Sequence, residues 1–328
     1  MQTPEAPRRL SLERIEAAIS SIDPVFLDTP QFECEPLSAA LGVRAVLKVE
    51  TLNPVRSFKG RGASRYVAEV PPGTEVVCAS AGNFGQAMAY AGRARGIPVT
   101  VYAAESASPL KVARMRALGA TVVLSGQDFD GARAEARRAA AWRGAWLAVD
   151  SLDLETVEGA GTIGLELLRL GPPLDVLLLP LGNGALCSGV ATVMRSRSPA
   201  TELMAVAAAG ASAMVESWLV GRLVEHERTD TIADGLATRS PIPEALADLR
   251  GLIDDAVLVA DDSMVAGIRP LHAHAGLVAE PSAAAGVAAV LEDPARFRGA
   301  RVGLVVCGGN VAEDRLRAWL GAGQGPTE

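Results

Sequence analysis

The chain has 328 residues, of which 49% are hydrophobic and 21% charged, and its formal net charge is −7. That is a globular balance, and at roughly 100–200 residues per domain the length argues for two domains. An acidic chain with only 4% aromatic residues offers neither a basic face for nucleic acid nor a stock of rings for stacking bases.

The first twenty residues carry Glu5, Arg8, Arg9, Glu13, Arg14 and Glu16 and form no apolar signal core. The longest aliphatic run, around Val176–Leu179, is of strand length and too short to span a bilayer, so no membrane partner is expected. Cys34, Cys78, Cys187 and Cys307 are far apart in sequence and include no CxxC pair, which points to a reduced, cytoplasmic setting. His226, His272 and His274 are the only histidines. A pair at i, i+2 does not share a helix face, so no metal site is expected.

Strand-length apolar runs are predicted at Ala45–Val49, Glu75–Ala79, Val99–Tyr102, Thr121–Leu124, Trp146–Ala148, Val176–Leu179, Leu203–Ala207, Ala256–Val259 and Val302–Val306. Helical patterns fall between them at Phe84–Arg95, Pro109–Leu118, Phe129–Arg143, Gly161–Leu170 and Leu186–Arg197. This alternation predicts an α/β protein with open, mostly parallel sheets covered by helices. Four strand–helix units between residues 50 and 150 are expected to form a small domain. Residues 1–49 with 151–328 would form a larger one. The Gly-rich tail Gly321–Glu328 is expected to be mobile.

Four loops carry chemistry. The first is Asn53-Pro54-Val55-Arg56-Ser57-Phe58-Lys59-Gly60-Arg61-Gly62. Lys48, Lys59 and Lys111 are the only lysines; all other basic side chains are arginines, which cannot form a Schiff base. Lys59 precedes a Gly-rich turn into a helix and is a candidate for amine chemistry, against the alternative of a solvated loop lysine.

The second loop, Ser80-Ala81-Gly82-Asn83, follows a strand and opens a helix, where exposed N–H groups suit a carboxylate. Ser80 could equally be an ordinary helix cap. The third, Gly182-Asn183-Gly184-Ala185-Leu186, has the composition of a phosphate cradle. A dinucleotide fingerprint fits it poorly, because Cys187 stands where the third glycine belongs and the following strand ends in alanines. The fourth loop, Cys307-Gly308-Gly309-Asn310, lies at a strand end. Cys307 could face a ring or be a small buried hydrophobe.

These four loops, in this order, resemble the tryptophan-synthase-β-like (fold type II) pyridoxal-phosphate enzymes, and within them the threonine and serine dehydratases. The likeness extends from Ile15 to Val311 and includes Thr231–Ala237 and Ala279–Ala284. It implies two helix-covered sheets with pyridoxal 5′-phosphate in the cleft between them. It further implies that Lys59 carries the cofactor as a Schiff base and moves the Cα proton, that Phe58 packs on the ring and that Asn83 meets its 3′-oxygen. Gly182, Asn183, Gly184, Ala185 and Leu186 would wrap the phosphate, and Cys307 would face the pyridine nitrogen. Ser80, Ala81, Gly82 and Asn83 would hold the substrate carboxylate, and Gly235 would line the substrate space.

The implied activity is dehydration and deamination of L-threonine or L-serine to a 2-oxo acid and ammonia, with the cofactor phosphate as proton donor. The thiol at the ring nitrogen favours elimination over transamination. The alternatives are β-replacement, or an acidic substrate such as 3-hydroxyaspartate. The last is raised by Arg56, which stands where relatives carry glycine; its guanidinium would select a second acid group or point to solvent. Ala81 replaces the second acid/base serine of racemases, which disfavours racemisation. Ala205–Met214 contains no carboxylate for a cation. A small-molecule amino acid and a second copy in a homodimer are the implied partners. Too little chain follows the fourth loop for a regulatory domain, which suggests a constitutive or catabolic role.

Overall fold

The computed structural model describes residues 9–321. The readings made of residues 1–8 and of 322–328 lie outside them. From the N-terminus run α1 (Leu12–Ala18), β1 (Gln31–Glu33), α2 (Glu35–Leu41) and β2 (Arg44–Val49). Next come α3 (Lys59–Glu69), β3 (Val76–Ala79), α4 (Asn83–Arg95), β4 (Val99–Ala103), α5 (Pro109–Ala117), β5 (Thr121–Leu124), α6 (Phe129–Arg143) and β6 (Trp146–Ala148). Then follow α7 (Leu154–Leu170), β7 (Val176–Pro180), α8 (Ala185–Arg197), β8 (Glu202–Ala208), α9 (Ala213–Val220) and α10 (Pro243–Leu249). The remaining elements are β9 (Asp255–Val259), α11 (Asp261–Ala275), α12 (Pro281–Glu292), α13 (Pro294–Phe297), β10 (Arg301–Val306) and α14 (Glu313–Leu320).

All nine predicted strands form, in two sheets. The larger has the order β1-β2-β10-β7-β8-β9 and the smaller β5-β4-β3-β6. Every pairing is parallel except β1 with β2. Every residue of β7 is buried, as the continuous apolar run Val-Leu-Leu-Leu requires of a strand covered on both faces. Strand β1 was not predicted: Gln31-Phe32-Glu33 has no apolar run and leaves Phe32 exposed at the sheet edge.

Helix α7 starts at Leu154, seven residues before the predicted Gly161. Its first half, rich in glycine, reads as a poor helix. The glycines are there for packing: a methyl on Gly159 would lie 2.6 Å from Gly62 Cα, and one on Gly161 would lie 3.0 Å from the Gly189 carbonyl oxygen. Close backbone approach to α3 and α8 therefore overrides intrinsic propensity. Helices α4 and α6 end at Gly96 (φ 67°) and Gly144 (φ 64°), both left-handed.

The strand orders locate the site. In the larger sheet the chain moves from β7 through β8 to β9, then returns to the other side of β7 with β10. In the smaller one it moves from β3 to β5, then returns to the other side of β3 with β6. Ligands collect beyond the carboxyl ends of strands at such reversals. The segments there follow β7, β10, β3 and β6. Three of them are loops already singled out in the sequence.

Candidate active site

Behind the site lies a buried charge cluster that fixes the start of α3. The Arg61 guanidinium, with no solvent exposure, donates to Glu50 at 2.9 Å and to Glu166 at 2.6 and 2.8 Å. Lys48 Nζ donates to Glu166 at 2.5 Å and to the Thr29 carbonyl at 2.8 Å. Burial alone would raise the Glu166 carboxyl, but Arg61 and Lys48 hold it down to about 2. Lys48 is thus committed to structure, and Lys111 is ion-paired with Asp234.

Lys59, two residues before Arg61, is the first residue of α3. Its Nζ lies 2.6 Å from Asp150 Oδ2 and 4.6 Å from the Phe58 ring centroid. Phe58 is buried in the core beneath the larger sheet, and its N–H donates to the Cys307 carbonyl at 3.0 Å. Asp150 follows β6. Its neighbour Ser151 accepts a hydrogen bond on Oγ from Ala185 N–H at 3.3 Å. The lysine is therefore tied through two adjacent residues to the turn after β7.

That turn has the form of an anion cradle. A methyl on Gly182 would run into the Gly235 carbonyl oxygen, so only bare backbone fits there. Gly184 has φ 102° and starts α8, whose first N–H groups have no acceptor within the helix. Asn183 Oδ1 accepts from Thr238 Oγ1 at 3.2 Å, and Leu186 is buried beneath the turn. Gly235 N–H donates to Ser282 Oγ at 3.2 Å, which holds the facing loop.

The loop after β3 meets the loop after β10. Ser80 Oγ accepts from the N–H groups of Gly82 (3.1 Å) and Gly85 (3.0 Å), so it caps α4 and shapes the Ala81–Gly82 turn. Asn83 donates to Glu280 Oε1 at 2.7 Å and accepts from Asn310 Nδ2 at 2.8 Å. The other Glu280 oxygen accepts from Asn310 N–H at 3.1 Å. Burial raises the Glu280 carboxyl, opposed mainly by Asn83. Burial also pushes the Cys307 thiol up, with Glu280 adding to the effect, so the thiol is neutral.

Among the described residues Arg56 is one of three non-glycine residues with positive φ (53°), and its carbonyl accepts from Gly309 N–H at 2.9 Å. Its charge falls near Arg114, whose guanidinium donates to Asn310 Oδ1 at 3.0 Å. Burial and the charge of Arg56 both lower the Arg114 pKa.

A family model for "Pyridoxal-phosphate dependent enzyme" matches residues 22–308. The chain belongs to this family of pyridoxal-phosphate dependent enzymes. A putative threonine dehydratase of Sinorhizobium fredii is 33% identical over 92% of this chain and 92% of its own. An L-threonine ammonia-lyase of Thermotoga maritima is 34% identical over 92% of this chain and 76% of its own. Among solved structures, the processed form of threonine deaminase isoform 2 from Solanum lycopersicum superposes with a TM-score of 0.87 at 28% identity, covering 97% of this chain and 91% of that one. Maize serine racemase gives 0.88 at 28% identity, covering 95% and 97%.

For a pyridoxal-phosphate enzyme the residues fit the group: a partly buried lysine amine held by Asp150, a backbone cradle for phosphate and a neutral thiol at a strand end. The sequence reading gave no role to Asp150, Ser151, Glu280 or Asn310. Glu280 and Asn310 stand inside motifs it quoted. Asp150 carried a weaker signal, as an acid at the end of a strand whose neighbour had not been established. Among the described residues, no group of three or more His, Cys, Asp or Glu could hold a metal ion, and no helix is long and apolar enough to cross a membrane.

Proposed function

We propose that this enzyme eliminates water and ammonia from L-threonine or L-serine, with Lys59 as the residue that bonds the cofactor and carries the Cα proton. The observation that supports this most is the placement of the three lysines. Lys48 is buried in an ion pair and Lys111 is paired at the surface, while Lys59 Nζ stands 2.6 Å from Asp150, whose neighbour Ser151 accepts from the Ala185 N–H that follows the Gly-Asn-Gly turn. The dehydratase and ammonia-lyase relatives supply the reaction class.

Bound pyridoxal phosphate supplies an electron sink for the Cα carbanion. The protein does the rest. Gly182, Asn183, Gly184, Ala185 and Leu186 would hold the phosphate on backbone N–H groups. Phe58 would pack against the ring, Asn83 would bond its 3′-oxygen and Cys307 would face its nitrogen. A neutral thiol cannot stabilise a protonated ring nitrogen as a carboxylate would, which limits the carbanion's lifetime and favours rapid loss of the β-substituent. Ser80, Ala81, Gly82 and Asn83 would bind the substrate carboxylate at the start of α4. Gly235 would border the side chain. We assign residues 50–150 to a small domain that carries β3–β6, and 1–49 with 151–328 to a large one. A cytoplasmic homodimer is the assembly we infer.

Purified enzyme given pyridoxal phosphate should form 2-oxobutanoate from threonine and pyruvate from serine. No keto acid from any hydroxy amino acid would reject the proposal. A second reading, 3-hydroxyaspartate as substrate, is favoured by Arg56 and Arg114 near Asn310. It requires Arg56→Gly to raise KM for that substrate selectively, leaving threonine unaffected.

A further inference from the structure

We propose that Asp150 is the acid that protonates the departing hydroxyl, recharged by the proton that Lys59 takes from the substrate. This rests on the elimination reading and assigns a residue to a step for which the cofactor phosphate was the expected donor.

Three observations carry it. Asp150 Oδ2 is 2.6 Å from Lys59 Nζ, within proton-transfer reach. Asp150 Oδ1 is buried and has no hydrogen-bond partner among the described residues. A buried carboxylate oxygen without a donor is costly, and a substrate hydroxyl is the kind of donor that would satisfy it. Third, β3 and β6 are neighbours in register, with Cys78 opposite Ala148. Continuing that register puts Ser80 and Asp150 at one level, about 4.8 Å apart in backbone spacing. A substrate whose carboxylate lies on the Ser80–Asn83 loop then has its β-carbon within reach of the next strand end.

Other titratable groups have partners: Asp153 accepts from Val149 N–H at 2.7 Å. Glu280 uses both oxygens, on Asn83 and on Asn310 N–H. Lys111 is paired with Asp234. Ser151, which follows Asp150, is held in the left-handed region (φ 66°). A non-glycine residue keeps that conformation only where its surroundings impose it.

The step balances. The Cα–H bond breaks and its proton goes to the Lys59 amine, which passes a proton to the Asp150 carboxylate. The Cβ–O bond then breaks with its electron pair on oxygen, and Asp150 gives that oxygen its proton. The pair left at Cα closes the Cα–Cβ double bond. One water leaves, both side chains return to their starting states, and nothing is oxidised or reduced.

The test compares serine with β-chloroalanine, whose chloride leaves without a proton. In holoenzyme, Asp150→Asn should lower kcat for serine at least about 100-fold and for β-chloroalanine less than about threefold, the size expected for lost acid catalysis. Serine recovered from deuterated water should carry deuterium at Cα, because Lys59 still exchanges the proton. Asp150→Glu should restore part of the serine rate. Cofactor titration of the apoprotein should show unchanged affinity in Asp150→Asn.

Equal losses with both substrates, no loss with either, or lost cofactor binding would overturn the proposal. Should Asp150→Asn fail to fold, the wild type decides: a larger solvent isotope effect on serine than on β-chloroalanine supports it, and equal effects overturn it. Wild type that releases no keto acid from serine or threonine removes the elimination reading as well. Active wild type with an indifferent Asp150→Asn removes this inference alone.

Discussion

The Asn83 side chain donates to the Glu280 carboxylate at 2.7 Å, joining the loop after β3 in the smaller sheet to the segment that opens α12 on the larger. Glu280→Ala would strip acceptors from both Asn83 and Asn310 N–H in a buried setting. The expected cost is about 1–3 kcal/mol for each donor left without a partner. Cofactor affinity should fall at least tenfold, because Asn83 loses its orientation. Glu280→Gln keeps an acceptor for Asn83 and should recover most of the affinity. Thermal melting of the apoprotein and cofactor titration check the two parts.

Gly182→Ala places a methyl group against the Gly235 carbonyl oxygen. Backbone cannot swing away as a long side chain can, so the two loops must separate. The expected result is loss of cofactor from the purified protein, seen as a missing visible Schiff-base band, with the far-UV spectrum retained. Gly42→Ala serves as a control. Gly42 has a positive φ (69°) with nothing within 4 Å, so the change should cost modest stability and leave the band intact.

Acid stability should track Glu166. Its carboxyl is held at about 2 in the folded protein against an ordinary value of 4.5. The folded state binds this proton less readily than the unfolded chain. The resulting stabilisation is complete above about pH 4.5 and is lost as pH falls toward 2. Glu166→Gln should remove that dependence between pH 4.5 and 2. It should also destabilise the protein at neutral pH by about 3–5 kcal/mol, because Arg61 and Lys48 lose a buried partner. Denaturant titrations across pH check both.

The α/β class and the loops holding Asn83, Gly184 and Cys307 were legible because each is a local signal: an apolar run, then small residues, then a helix. Lys59 stood out as one of only three lysines, set before a Gly-rich turn into a helix. Edge strand β1 was not, since Gln31-Phe32-Glu33 pairs by position rather than by pattern. The early start of α7 was hidden because Gly159 and Gly161 read as helix breakers until Gly62 and Gly189 are seen against them. Asp150 carried only a weak signal for a deeper reason. Only the order β5-β4-β3-β6 brings the end of β6 beside the loop that follows β3, and strand order depends on packing between distant segments. Glu280 likewise gains meaning only when Asn83, 197 residues away, closes on it.

The most direct measurement is borohydride reduction of the cofactor-loaded enzyme followed by peptide mass analysis. Only three lysines compete for the label: Lys48, Lys59 and Lys111. The reduced cofactor should be found on the peptide containing Lys59, and Lys59→Ala should carry none. Label on Lys48 or Lys111, or an active Lys59→Ala enzyme, would contradict the account.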